Sequence, residues 1–301
     1  MNRAHRGACG RVFVVALGLL ALAACAKNVK QSDVTADLPG TSVDSVTVAL
    51  WRMDETGGTH AADAGRSRLD AIAGPDTRTI FGRFRGARLF TRSANSFLHV
   101  PYSSPLDSPS ALSLEAWIAP NAYAPYEDSP IATRWSPTTA EHSWVFSIVG
   151  SNLPARLLPA EFGAGIGPAW HQKFMSGIKA GRLLFVFQPE DAGAPRVFSS
   201  LSVIELQRWT HVAVTFDGQV VSFFVNGQPD GTFATPGRIR ASQAPLLVGN
   251  FFDPRFLTDF GGDLRQGPTT DMAPWYAFDG GIDELRLSRA ARTEFPLRGG
   301  R

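Results

Sequence analysis

The stretch that decides the fold is RWTHVAVTFDGQVVSFFVNGQ, residues 208–228. Two apolar runs, 209–216 and 219–225, are divided by Asp217-Gly218 and closed by Asn226-Gly227. Such dipeptides between runs of β-branched and aromatic residues mark two-residue hairpins. The primed turns need positive φ, which Gly and Asn tolerate, and their twist matches that of the strands. Residues 209–235 are therefore expected to form a three-strand antiparallel meander, with a type I′ turn at Asp217-Gly218.

Outward from the meander the same grammar repeats. Short runs rich in Val, Phe, Leu, Ile and Trp at 46–51, 87–91, 96–100, 112–118, 143–149, 182–188, 245–249 and 281–288 are separated by Gly, Pro, Asp and Asn. Helical periodicity is hard to find, and the pattern predicts an all-β sandwich or barrel. In 112–118, Leu112, Leu114, Ala116 and Ile118 share one face and Ser113, Glu115 and Trp117 the other, because side chains alternate along a strand. The first set belongs in a core; the second belongs on an outer or concave surface. Three stretches, 119–142, 150–180 and 250–278, read as loop-rich inserts, and long loops in a compact domain tend to carry function.

The ends carry the address. MNRAHRGACGR has Arg3, Arg6 and Arg11 and no acid, and VFVVALGLLALAA follows, an apolar run of about 13 residues. That is too short to span a bilayer and suits a signal-peptide core. It ends in Leu22-Ala23-Ala24-Cys25, which resembles a bacterial lipobox. Residues 1–24 are expected to be cut off and Cys25 lipidated; the alternative is an ordinary secretory signal cut after Ala24. By the same resemblance, Ala26 after the Cys favours the outer membrane, so the expected location is the cell envelope. Residues 25–44 read as a polar tether and 45–296 as one domain. The chain is formally +2, and loss of three Arg leaves the mature part at about −1. Nothing in that balance points to nucleic acid. Cys9 leaves with the signal and Cys25 is the anchor, so the domain must rest on its core.

Several motifs then stand in one order. VALWRMDETGGTHAADAGRSRLDAI, GRFRGARLF, SFLHVPYSSPLDSPSALSLEAWIAP, the meander, PLLVGN and FDGGIDELRLSRAARTEF together resemble the laminin-G-like, concanavalin A-like domains. The resemblance implies a jelly-roll β-sandwich of two antiparallel sheets with 12–14 strands, its first and last strands adjacent. It also implies a possible structural Ca²⁺, held by Asp283 of the closing strand with Asp54, Glu55 and backbone near Gly86; calcium takes six to eight oxygen ligands. Asp283 could equally accept bonds from backbone amides. Glu284 is expected in water.

Catalysis is disfavoured. The glucanases of this fold carry an E-x-D-x-x-E strand, which this sequence lacks. Adjacent Asp283 and Glu284 would point to opposite faces of a regular strand and could not flank one glycosidic bond. There is no thiol nucleophile in the domain and no Gly-x-Ser-x-Gly; His211, in a strand, reads as a packing residue. Trp135, Trp170, Trp275 and Tyr276 sit in or beside the inserts, where aromatic faces could stack on sugar rings or seal loops onto the core. The expectation is a non-catalytic, lipid-anchored envelope protein that binds carbohydrate or a protein partner. The alternative is a structural or assembly protein, with Phe251, Phe252 and Phe256 as an exposed interface.

Overall fold

The computed structural model describes residues 40–124, 128–136, 139–151, 178–251 and 277–295. In chain order the strands are β1 (Thr47–Trp51), β2 (His60–Ala61), β3 (Ala71–Ala73), β4 (Arg78–Phe81), β5 (Gly86–Phe90), β6 (Leu98–Val100) and β7 (Leu112–Pro120). Then come β8 (Asp128–Trp135), β9 (His142–Val149), β10 (Arg182–Phe187), β11 (Arg196–Val203) and β12 (Thr210–Phe216). The last are β13 (Val220–Val225), β14 (Gln228–Ala234), β15 (Leu246–Val248) and β16 (Gly280–Ser288). They form two eight-stranded sheets with antiparallel pairing. Sheet A runs β14-β13-β12-β7-β16-β5-β4, with β1 also on β16; sheet B runs β11-β10-β9-β8-β15-β6-β3-β2. This is the expected jelly roll, with more strands than expected.

The core lies between the sheets. Leu112, Leu114, Ala116 and Ile118 of β7 point into it beside Val212, Val214 and Phe216 of β12. From sheet B come Trp144, Phe146 and Ile148 of β9 and Leu183, Phe185 and Phe187 of β10. The rings of Phe187 and Phe216 meet across the layers, centroids 5.1 Å apart. Each such side chain, fully buried, contributes about 1.5–3 kcal/mol before entropy is counted.

The meander forms as expected, with one difference. Asn226 and Gly227 both take positive φ, 49° and 72°, as a type I′ turn needs. At the other turn only Gly218 does, at 88°. There the Asp217 carboxylate accepts from the amides of Gln219 and Val220 at 2.8 and 2.7 Å, and this side-chain turn takes the place of a second positive φ. Strand β8 also departs from expectation, lying within a predicted loop. It sits in the middle of sheet B, and Pro130 is tolerated there beside a register shift between Pro130 and Ala132.

The closing strand β16 positions the polar chemistry. One edge pairs with β7 along its length. The other edge changes partner: Gly280–Ile282 pair with β5, and Leu285–Ser288 with β1. Between those partners lie Asp283 and Glu284, in a bulge where Glu284 takes φ 52°. The gap left by the end of β1 and the start of β5 is where backbone groups lack ladder partners.

Candidate functional site

Asp283 and Glu284 fill that gap. Ile282 and Leu285 face the core, and the bulge leaves both carboxylates off it. Asp283 is fully buried, and its Oδ2 accepts from the Phe84 amide at 2.9 Å. Its Oδ1 is buried without a partner. Burial pushes its pKa well up, against the pull of the Phe84 and Arg83 amides; Glu284 and Asp54 push it further. Glu284 does not stay in water: it is 1% exposed. It accepts from the Thr41 amide at 2.7 Å and from Arg52 at 3.3 Å. Burial raises its pKa too, outweighing Arg52. Residues 40–44, assigned to the tether, thus begin within the bonded structure.

The expected calcium ligands are only partly brought together. Asp54 Oδ1 accepts from the Gly86 amide at 3.0 Å, beside the gap. Glu55 is turned away: one oxygen accepts from the Ala62 amide at 2.7 Å and the other from Arg88 at 3.2 Å. No group of three His, Cys, Asp or Glu converges on a metal position among the described residues. What does fit a hard cation is the spare, buried Oδ1 of Asp283. A Cβ added to Gly82 would lie 2.1 Å from the Gly86 carbonyl oxygen and 2.6 Å from Asp283 Oδ2, so the turn packs against the carboxylate too closely for any side chain at that position.

The middle of sheet A's outer face, around β7, β12 and β16, is covered by the chain itself. Phe84 meets Trp117 edge-on with centroids 5.8 Å apart, and the Arg83 guanidinium lies 4.8 Å from the Trp117 ring. Trp117 is therefore on the outer face, as alternation predicts, but covered. Next to it, Glu115 receives His211 Nε2 at 3.1 Å and Arg286 Nε at 2.6 Å. Burial raises the Glu115 pKa, but His211 and Arg286 outweigh it and hold the carboxyl below its ordinary value. His211 thus serves this buried pair and not the core. Phe295 lies over it, 5.3 Å from the imidazole and 4.9 Å from Phe224.

The outer face of sheet B has a different chemistry. Direct cross-strand pairs line up Val197, Val186, Val145, Thr133, Leu247, His99, Ile72 and His60 in one row across all eight strands. One end of the face is a buried apolar shelf of Trp135, Val145, Val149, Leu184, Val186 and Phe251. Within it the Ser147 hydroxyl is buried without a partner, opposite Pro130 and Leu184. Asp128 is the only carboxylate in the strands of this sheet. The other end carries the two imidazoles, and burial lowers the His99 pKa to about 4, so it is neutral at physiological pH.

Of the aromatics singled out, Trp135 belongs to this shelf. It is the last residue of β8 and not part of an insert, is 2% exposed, and stacks on His142 at 4.2 Å. Trp170, Trp275 and Tyr276 lie outside the described residues, as do Phe252 and Phe256. Phe251 is not an exposed interface residue but part of the shelf. Sequence reading missed the shelf itself. The signal was present: SWVFSIV and RLLFVF are apolar on both alternating faces, as strands covered on both sides are.

The chain matches the sequence profile of the concanavalin A-like lectin/glucanases superfamily over residues 92–295, and it belongs to that superfamily. No curated protein sequence matches it. Among solved structures it is similar to domain 4 of AbnA, an extracellular arabinanase from Geobacillus stearothermophilus solved with arabinotriose. There the identity is 15%, the TM-score 0.51, and the match covers 82% of this chain and 93% of that one. It is also similar to the binding domain of Paraclostridial Mosquitocidal Protein 1 (10% identity, TM-score 0.51), covering 82% of this chain and 49% of that chain. The binding domain of Botulinum neurotoxin serotype G gives 12% and 0.51, with 82% and 48% covered. The chain thus spans about half the length of the two toxin domains. At these identities the likeness shows the shared fold.

Proposed function

We propose that the protein is a non-catalytic binding module, held at the bacterial envelope by a lipid on Cys25, that recognises carbohydrate through the outer face of sheet B and the inserts next to it. The observation behind this reading is the chemistry of the shelf next to the inserts: buried aromatic and aliphatic side chains with one unpartnered hydroxyl, Ser147, and a single strand-borne carboxylate, Asp128, which a ligand would reach only where the inserts open. Sugar sites combine an apolar platform with a few polar groups. Hydrolysis at a glycosidic bond needs two carboxyl groups flanking it, about 5–5.5 Å or 6.5–9.5 Å apart. The sugar bound by the similar arabinanase domain supports the carbohydrate class. A cation held by Asp283, near Asp54 and the Gly86 carbonyl, would neutralise the buried carboxylate and brace the β1–β5 gap. It would supply charge there and no catalysis.

A glycan array with the mature chain tests the reading. Binding is expected, and it should fall in Trp170→Ala and Trp275→Ala if the insert aromatics complete the site. An array with no bound glycan overturns carbohydrate recognition and leaves a protein partner as the ligand class.

A further inference from the structure

We propose that the β4–β5 hairpin is a second contact surface, resting its tip on anionic lipid headgroups beside the point where the tether enters the fold. This rests on the reading of Cys25 as a lipid anchor. Residues 77–92, TRTIFGRFRGARLFTR, hold five arginines and no carboxylate. Three of these arginines are committed within the fold. Arg92 donates to the Tyr123 carbonyl and lies 3.6 Å from Asp279. Arg83 lies over Trp117, and buried Arg88 donates to the Gly58 and His60 carbonyls and to Glu55. Arg78 and Arg85 are exposed, Arg85 with a long 3.8 Å ion pair to Asp54, and between them stands Phe81, 81% exposed, more than any other large apolar side chain described. Leu201, the next at 61%, lies among the serines of β11 with no such basic flank.

The hairpin is stiff, so Phe81 is presented and not merely loose. The Gly82 amide donates to the Arg85 carbonyl at 2.9 Å, Asp283 holds the Phe84 amide, and Ile80 packs onto the Trp117 and Trp209 cluster. Alternation then turns Phe81 away from that cluster. The tether arrives at the same place. Asp283 grips the hairpin turn, and its neighbour Glu284 grips Thr41. From Cys25 to Gly40 is about 15 residues, which reach at most about 50 Å when fully extended. An anchored chain therefore keeps the hairpin within about 50 Å of the bilayer, near enough to touch it. An aromatic ring with flanking guanidinium groups matches the headgroup boundary of an anionic membrane, where rings partition and Arg pairs with phosphate.

The test uses the chain from residue 25 onward with Cys25→Ser, so that no acyl group contributes. It is sedimented with phosphatidylglycerol–phosphatidylethanolamine vesicles and, separately, with phosphatidylcholine vesicles. Binding is expected to the anionic vesicles only. The double variant Arg78→Ala/Arg85→Ala should weaken it roughly 25-fold, at about fivefold for each surface cation. Phe81→Ala should weaken it about tenfold. All three positions are exposed, so thermal midpoints should match the parent and show that the variants fold. No sedimentation with anionic vesicles, or variants that bind like the parent, overturns the proposal. Mass spectrometry of the native Cys25 peptide checks the anchor separately. An unacylated cysteine defeats the anchor reading, and the vesicle result alone decides the hairpin.

Discussion

The two sheets share one core but treat their outer faces in different ways. Sheet A buries charge there. Glu115, His211, Arg286, Asp283 and Glu284 all lie out of water, and pieces of the chain close over them: the 82–86 turn, residues 40–44 and Phe295. Sheet B buries hydrocarbon, with Trp135, Leu184, Val186 and Phe251 and few polar atoms. Charged groups tolerate burial only when their partners are fixed in place, and a covalently attached cover supplies such partners. Apolar contact asks for area more than geometry and can accept more than one covering surface. Sheet A is therefore locked by pieces of its own chain, and sheet B carries the face proposed here to meet a ligand.

The sharpest way to break this contrast is at Arg286. Arg286→Met leaves Glu115 buried with His211 and only the distant Arg292, 3.9 Å away, and urea denaturation should show a loss of about 3–5 kcal/mol. A loss under 1 kcal/mol would mean that the sheet A network is not the lock described here. On sheet B, Leu184→Ala should cost about 2–4 kcal/mol through the cavity it opens. A near-neutral result would show the shelf to be loosely covered.

Acidity separates the faces further. His99 on sheet B has its folded pKa depressed to about 4 from 6.5. Stability from keeping it neutral is therefore present above pH 6.5 and drains away as pH falls toward 4, by up to about 3 kcal/mol at 1.36 kcal/mol per unit. His99→Gln should flatten that acid limb in melts across pH 4–7. Asp283 on sheet A acts with the opposite sign. Its folded pKa is raised above 3.8, so its contribution is full below that value and is lost as pH rises through the folded pKa. With chelator at pH 8, Asp283→Asn should be modestly more stable than the parent, since an amide oxygen still serves the Phe84 amide. Added calcium should raise the parent's melting temperature and not the variant's. Equal responses would remove the cation from Asp283.

The sequence made the meander legible because Asn226-Gly227 states its turn chemistry outright, and the β1–β16 pairing followed from the family resemblance. Strand β8 was hidden because Asp128, Ser129 and Pro130 read as loop, although their backbone pairs with β9. Strand β11 was hidden in the same way by its serines. Asp283 was legible as a residue of interest. Its orphan oxygen was not, because it depends on where β1 ends and β5 begins, some 200 residues earlier in the chain. Glu284 misled for a related reason: alternation assumes a regular strand, and the bulge breaks it. The shelf was half visible, as hydrophobic runs with no polar face, but which strands adjoin which cannot be counted off in one dimension.

The pairing of β1 with β16 has a kinetic consequence. Thr47–Trp51 finds its partner only when Leu285–Ser288 exists, so a chain emerging from its N-terminus carries an unpaired, apolar first strand until nearly all of it has been made. Loop closure over so many residues is slow. Refolding should accordingly be late and all-or-none at this seam, and a chain truncated before Gly280 should stay open and sticky.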